Sequence, residues 1–263
     1  MSVEPVMHVD PSFAQGIAIV AGGSGGIGAQ ICLSLARAGA DVLLTYHSKR
    51  AEADKVVAQI RGMGRVAEAV QLDLGDATAV ATMATDAQQR FGRIHSVVYA
   101  AGPALHMEFI GKLEPAEWAR VINTDVCGCF NFVHATLPHL KKAGGGSYVM
   151  VITSAVERVP ARDICSAAPK AAIEMLMRGL AKEEGRSGIR ANCVGPGWVD
   201  AGLGKAVIES ELTPEQLEKI RHSIPLRRIG QAHEIAEAVT FMLSSKASYI
   251  TGQSLAVDGG MQL

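Results

Sequence analysis

The sequence predicts a single α/β domain, a parallel sheet of about seven strands with helices on both faces. Three observations predict it. Short, continuous apolar runs recur along the chain, the pattern of strands buried on both faces. Amphipathic helical stretches alternate with them through short joints. A glycine cluster stands between the first apolar run and the first helical stretch.

Taken in order, Gly16 to Val20 is a short, partly β-branched run that reads as the first strand. Ile27, Ile31 and Leu35 then share one helical face, and Gly39 stands at a C-terminal stop position. Asp41 to Tyr46 reads as the second strand, and Ala53, Val56, Val57 and Ile60 as the buried face of a second helix. A third strand over Val66 to Leu72, a helix from Ala77 to Phe91 and a fourth strand from Ile94 to Ala100 continue the alternation. Pro115, a favoured first-turn residue, opens one long helix running towards Leu140. Gly144 to Gly146 breaks into a strand from Tyr148 to Ile152. A helix from Ser166 to Glu184 and strands over Ile189 to Val194 and Ser254 to Val257 complete the pattern. With no linker, repeat or low-complexity block, the 263 residues read as one domain, preceded by a polar leader over residues 1–13.

Bulk composition narrows the function. A net charge of -1 without a basic stripe leaves no electrostatic footprint for nucleic acid or an anionic membrane. No apolar run is long enough to span a bilayer, and Met1 to Pro11 lacks the apolar centre of a secretory signal. The odd, irregular set Cys32, Cys127, Cys129, Cys165 and Cys193 argues against a disulfide framework or a zinc site and suits a reducing compartment. The histidines have no HxxxH or HExxH spacing, so no metal is expected, and the expected location is the cytoplasm.

The glycine cluster carries the first chemistry. In Gly22-Gly23-Ser24-Gly25-Gly26-Ile27-Gly28 the glycines permit a tight turn and let a diphosphate approach the backbone at the head of a helix. By itself this is a weak signal. It is followed, in order and at fitting separations, by Leu72-Asp73-Leu74, Tyr99-Ala100-Ala101-Gly102, Asn123, Ser154, Lys170, Asn192 to Gly197, and Val257-Asp258-Gly259-Gly260.

This ordered set resembles the short-chain dehydrogenase/reductase family, from about Gly16 to Gly260. The resemblance implies a Rossmann-type fold and a nicotinamide dinucleotide. The cofactor is expected along Gly22, Ser24, Gly25, Gly26, Ile27 and Gly28; at Tyr46, His47 and Ser48; at Asp73 and Leu74; at Ala100, Ala101 and Gly102; and at Lys170, Pro196, Gly197 and Val199. It implies catalytic roles for Asn123, Ser154 and Lys170, a substrate lid over residues 201–223, and a homo-oligomer, dimer or tetramer. The junction Tyr46-His47-Ser48-Lys49-Arg50 has no acid until Glu52, where a site reading a free ribose 2′-hydroxyl wants a carboxylate. NADP(H) is therefore expected rather than NAD(H), with Gly25 a departure, since many NADP-using relatives carry a basic residue there.

A second departure matters more. The family's Tyr four residues before the lysine is here Ser166, and Tyr46, Tyr99, Tyr148 and Tyr249 lie in unrelated motifs. A serine hydroxyl is a far weaker acid than a phenol beside an ammonium group. The spacing from Ser154 to Ser166 is also one residue short of the commonest one, which leaves Thr153 as a stand-in for Ser154; Ala201 and His95 depart from the family pattern too. Three readings stay open: a carbonyl reductase using Ser154 and Ser166, an enoyl- or dienoyl-thioester reductase whose enolate needs hydrogen-bond donors more than an acid, and a dinucleotide-binding protein without turnover. The apolar residues of the lid segment, from Leu203 to Ile220, point to a small-molecule substrate of medium to bulky apolar character.

Overall fold

A computed structural model describes residues 12–263. Nearly all of the leader, and with it the reading on secretion, lies outside the described residues.

The first strand, β1 (Ile17–Ala21), is buried along its whole length, as a parallel strand covered on both faces has to be. Ile17 and Ile19 enter one core while Ala18 and Val20 enter the other, following the two-residue alternation of a strand. The remaining strands are β2 (Asp41–Tyr46), β3 (Ala67–Gln71), β4 (Ile94–Tyr99), β5 (Gly146–Val151), β6 (Ile189–Pro196) and β7 (Ser254–Val257). All pairings are parallel, in the order β3-β2-β1-β4-β5-β6-β7. The predicted seven-stranded, doubly wound sheet is the observed one.

Helices α1 (Gly26–Arg37) and α2 (Arg50–Gly62) cover one face and α3 (Ala77–Phe91) the other. The chain then forms α4 (Pro115–Ile122), α5 (Gly128–Lys142), α6 (Ile164–Glu184), α7 (Gly202–Glu211), α8 (Pro214–Ser223) and α9 (Ala232–Leu243). Ile31, Leu35, Val56 and Ile60, joined by Val239 and Met242 of α9, fill the first core. Val80, Met83, Phe132, Leu140, Ile173 and Met177 fill the second.

Three differences from the sequence reading have physical causes. The long helix after Pro115 is not uniform: a π-helical turn over Asn123–Cys127 separates α4 from α5 and rotates the side chains that follow. The lid segment is two helices, because Thr213 accepts from the Gln216 amide and Pro214 opens a new first turn. Helix α9 was not read from the sequence, although Gln231 and Glu234 form a capping box ahead of apolar residues at helical spacing. A half-buried arginine holds α9 in place: Arg190 of β6 donates to the carbonyls of Met242, Leu243 and Ser244 at 2.7, 2.9 and 3.1 Å, where a helix C-terminus favours positive charge. Among the described residues no helix is long and apolar enough to cross a membrane.

The strand order reverses between β1 and β4, so connections leave their C-terminal ends in opposite directions. That switch point opens a crevice where doubly wound sheets bind ligands.

Candidate active site

One wall of the crevice is backbone. Gly22 has φ +77°, and an added Cβ would lie 2.7 Å from the Ala100 carbonyl oxygen, so the turn after β1 lies directly against the segment after β4. A Cβ at Gly28 would collide with the Gly22 carbonyl, which lets α1 begin close under the turn. The first residue of α1 also meets the first residue of α7: a Cβ on Gly26 would lie 2.5 Å from the Gly202 amide nitrogen. Neither helix has a side-chain cap at its N-terminus, since the residues before them are Gly25 and Ala201. Two sets of uncapped amides with like-oriented helix dipoles thus converge on one spot, an arrangement suited to an anion. These residues fit the diphosphate of a dinucleotide.

The flanking positions fit the rest of such a molecule. Asp73, exposed beyond the end of β3, has its carboxylate fixed by the Gly75 amide at 2.8 Å. Leu74 beside it is half-buried. At the end of β2, Tyr46 is buried while His47, Ser48, Lys49 and Arg50 are exposed. The Gln71 side chain steadies this corner by donating to the His47 carbonyl at 2.9 Å. Ala100 and Ala101 line the floor after β4, with the Ala100 amide on the Ala21 carbonyl at 2.9 Å. Pro196, Gly197 and Val199 form the opposite rim, held by the Gly197 amide on the Val257 carbonyl at 3.2 Å. Asn192, buried in β6, is structural: it donates to the Ile250 carbonyl at 2.9 Å and accepts from the Gln253 amide at 3.0 Å.

The other wall is side chains. Lys170 on α6 has its Nζ 2.8 Å from Asp125 Oδ1 and 3.4 Å from the Ala101 carbonyl, with both charged groups largely buried. The ammonium lies 5.5 Å from the centre of the Tyr99 ring. The Tyr99 hydroxyl donates to the Asp125 carbonyl at 3.1 Å, and burial together with the Asp125 carboxylate pushes the phenol well above its ordinary pKa. Tyr99 is therefore a buried support beneath the lysine.

The structure does not bring Asn123 to this group. Its side chain is exposed, and its contact is the Cys127 thiol at 3.9 Å. Two residues further on, Asp125 turns inward, because two residues turn a helix by roughly half a revolution. The signal available in the sequence was an acid set among apolar residues, between Val121 and Val126.

Ser154 and Ser166 do come together with the crevice. Both line a cavity of about 400 Å³ that reaches from Ile27 at the head of α1 to the start of α6. Its other walls are mostly apolar, with Leu105, Met107, Trp198 and Met261 among them, and Leu203, Val207 and Ile220 of α7 and α8 close one side. Thr153 lines it too, but its hydroxyl caps the turn after β5 by accepting from the Ala155 amide at 3.2 Å. Two polar lining residues, Gln262 and Asp163, were missed in the sequence. Gln262 donates from its Nε2 to Ser154 Oγ at 3.1 Å, while Asp258 fixes the C-terminal turn through the Gly260 and Gln262 amides at 2.8 and 3.1 Å. Asp163 precedes α6 and faces the same space.

Comparison with known proteins agrees with this fold. Residues 21–262 match the family model described as enoyl-(acyl carrier protein) reductase. The chain belongs to the short-chain dehydrogenase/reductase family. Within that family it is 35% identical to YohF of Escherichia coli (strain K12), an uncharacterised oxidoreductase, over 94% of this chain and 96% of that one. It is 33% identical to the 3-oxoacyl-[acyl-carrier-protein] reductase FabG of Staphylococcus aureus (strain Mu50 / ATCC 700699), over 94% and 98% of the two chains. A 7α-hydroxysteroid dehydrogenase solved with NADH and 7-oxo glycochenodeoxycholic acid superposes with a TM-score of 0.87 at 29% identity, covering 97% of this chain and 98% of that one. A short-chain type dehydrogenase/reductase from Mycobacterium ulcerans gives 0.89 at 27% identity, over 95% and 91%. The chain is an oxidoreductase of this type.

Proposed function

We propose that the protein is an NADP(H)-dependent carbonyl reductase whose active site works without a tyrosine. The observation that carries this reading is the cavity that joins the head of α1 to Ser154 and Ser166, roofed by apolar residues of α7 and α8. When bound, the reduced dinucleotide supplies hydride. The chain's own residues do the remaining work. Amides at the heads of α1 and α7 hold the diphosphate. Ser48 and Lys49 offer a hydroxyl and a cation, without a competing carboxylate, to a ribose 2′-phosphate. Ser154 accepts from Gln262, which leaves its own proton free to be given to a substrate oxygen. Ser166 lines the cavity as a second hydroxyl. Lys170, tied to Asp125, holds positive charge beneath the place where negative charge develops.

The cavity walls suit a medium or bulky apolar ketone, or a 3-oxoacyl-type substrate, and α7 and α8, which bury no residue of their own, act as its cover. Exposed Trp118, Phe130 and Met175 on α4, α5 and α6 fit a contact between copies of the chain, a dimer or tetramer. The test is a panel of apolar ketones, 3-oxoacyl thioesters and enoyl thioesters followed by NADPH oxidation, beside calorimetric binding of NADPH and NADH. Ketone or 3-oxoacyl turnover with tighter NADPH binding is the expected result. Turnover of enoyl thioesters alone would favour double-bond reduction instead, and NADPH binding without turnover of any class would overturn the enzymatic reading.

A further inference from the structure

We propose that Asp163 is the acid–base group of this active site, giving a proton to the substrate oxygen on reduction and recovering it on oxidation. The inference rests on the carbonyl-reductase reading above and supplies the donor which that reading lacks.

The need is chemical. Hydride arriving at a carbonyl carbon leaves charge on oxygen, and a positioned acid typically accelerates the proton transfer by about 10²–10⁴. None of the four tyrosines lines the cavity: Tyr46, Tyr99 and Tyr148 are buried elsewhere and Tyr249 is wholly exposed. Among the described residues no histidine, cysteine or lysine lines it either. The Lys170 ammonium is engaged by Asp125 and the Ala101 carbonyl below. Among the described residues, Asp163 is the one ionisable side chain in the cavity wall.

Its placement is as telling as its chemistry. Asp163, Ser166 and Lys170 stand at i, i+3 and i+7, one and two turns apart on the same face of α6. An aspartate just before a helix ordinarily caps the first turn with its carboxylate. Asp163 makes no such bond; the Ser166 and Ala167 amides go to its backbone carbonyl, and its side chain is left to the cavity. Burial raises its carboxyl from the ordinary 3.8 to about 6, within reach of the protonated form near neutral pH. The neighbouring charges are otherwise committed. On α4, Glu117 and Arg120 pair with each other. Below lies the Lys170–Asp125 pair, and in front Arg162 meets Glu211 of α7 at 3.6 Å and the Met107 carbonyl at 2.5 Å. Glu157, at the end of the turn after β5, is exposed.

The step balances. The carbonyl carbon gains a C–H bond with the electron pair brought as hydride by the reduced dinucleotide, which is thereby oxidised. The C=O π pair moves to oxygen. There an O–H bond forms as the Asp163 carboxyl O–H breaks, and the carboxylate then recovers a proton from water in the cavity mouth.

The test compares wild type with Asp163→Asn, Asp163→Glu and Ser166→Ala. Ketone reduction is followed across pH, NADPH binding by calorimetry, and the Asp163 carboxyl by ¹³C NMR of aspartate-labelled protein without cofactor. The expected result is a carboxyl resonance titrating near 6 in wild type and missing from Asp163→Asn. That variant should bind NADPH unchanged, lose about 100-fold or more in turnover, and lose the fall in rate as pH rises past this value. Asp163→Glu should restore part of the rate with the same limb, and Ser166→Ala should keep the limb. An Asp163→Asn enzyme with wild-type turnover and an unaltered profile would overturn the proposal while leaving the reductase reading intact. A wild-type protein that binds NADPH and reduces no carbonyl would overturn the reductase reading itself, and this inference with it. The NMR titration needs no variant activity: an Asp163 carboxyl with an ordinary aspartate pKa would count against the assignment.

Discussion

The two walls of the crevice are built from different materials. The diphosphate wall is backbone: Gly22, Gly26 and Gly28 let β1, α1, the segment after β4 and the head of α7 approach more closely than any side chain allows. The catalytic wall is side chains, with Lys170 on Asp125, Ser154 on Gln262, and Ser166 and Asp163 one turn apart on α6. A backbone wall tolerates little change of residue and much change of chemistry elsewhere. A side-chain wall can exchange its groups while the fold around it stays the same, which is how a serine can stand four residues before Lys170 in a member of this family.

The sharpest way to break the side-chain wall is Lys170→Met. It leaves the Asp125 carboxylate buried and unpaired, a change that costs about 3–5 kcal/mol of stability. Denaturant unfolding should register that loss, and the double variant Lys170→Met with Asp125→Leu should recover most of it. If Lys170→Met alone were as stable as wild type, the pair would not be buried as described.

A titration at the opposite end of the sheet provides the contrast. His95, at the start of β4, is buried with its Nε2 unpartnered, and burial, helped by the Arg93 guanidinium, lowers its pKa from 6.5 to about 4. The fold therefore favours the neutral ring. That contribution is complete above the unfolded value of 6.5 and is lost as pH falls towards 4. Its full size is about 3 kcal/mol. Thermal unfolding across this window should show the slope, and His95→Gln should flatten it without moving the Asp163-dependent limb of the rate profile.

The backbone wall is probed most gently by Gly26→Ala. The new methyl group would press on the Gly202 amide and part the two helix heads, weakening NADPH binding by about 0.5–2 kcal/mol, or about twofold to thirtyfold. The melting temperature should move little, because α7 buries no residue of its own. A variant that bound NADPH normally would show that α7 has no part in the cradle.

The same contrast explains what could be read from the sequence. Strands such as Ile17–Ala21 announce themselves because burial on both faces leaves no polar positions. The glycine turn does so because close backbone approach admits only one residue type. Side-chain sites depend on helical phase, and there the sequence pointed to Asn123, whose side chain is exposed, while Asp125 two residues on meets Lys170, on a stretch where a π-helical turn resets the phase. Gln262 and Asp163 left no local pattern, since each acquires its place only when the C-terminal turn and the head of α6 close on the end of β5. Helix α9 was legible in its capping box and apolar spacing but was not read.

Calorimetric titration of the folded protein with NADPH tests the central claim most directly. The converging heads of α1 and α7 predict one dinucleotide per chain, bound more tightly as NADPH than as NADH. Folded protein that takes up neither, in reduced or oxidised form, would contradict the account.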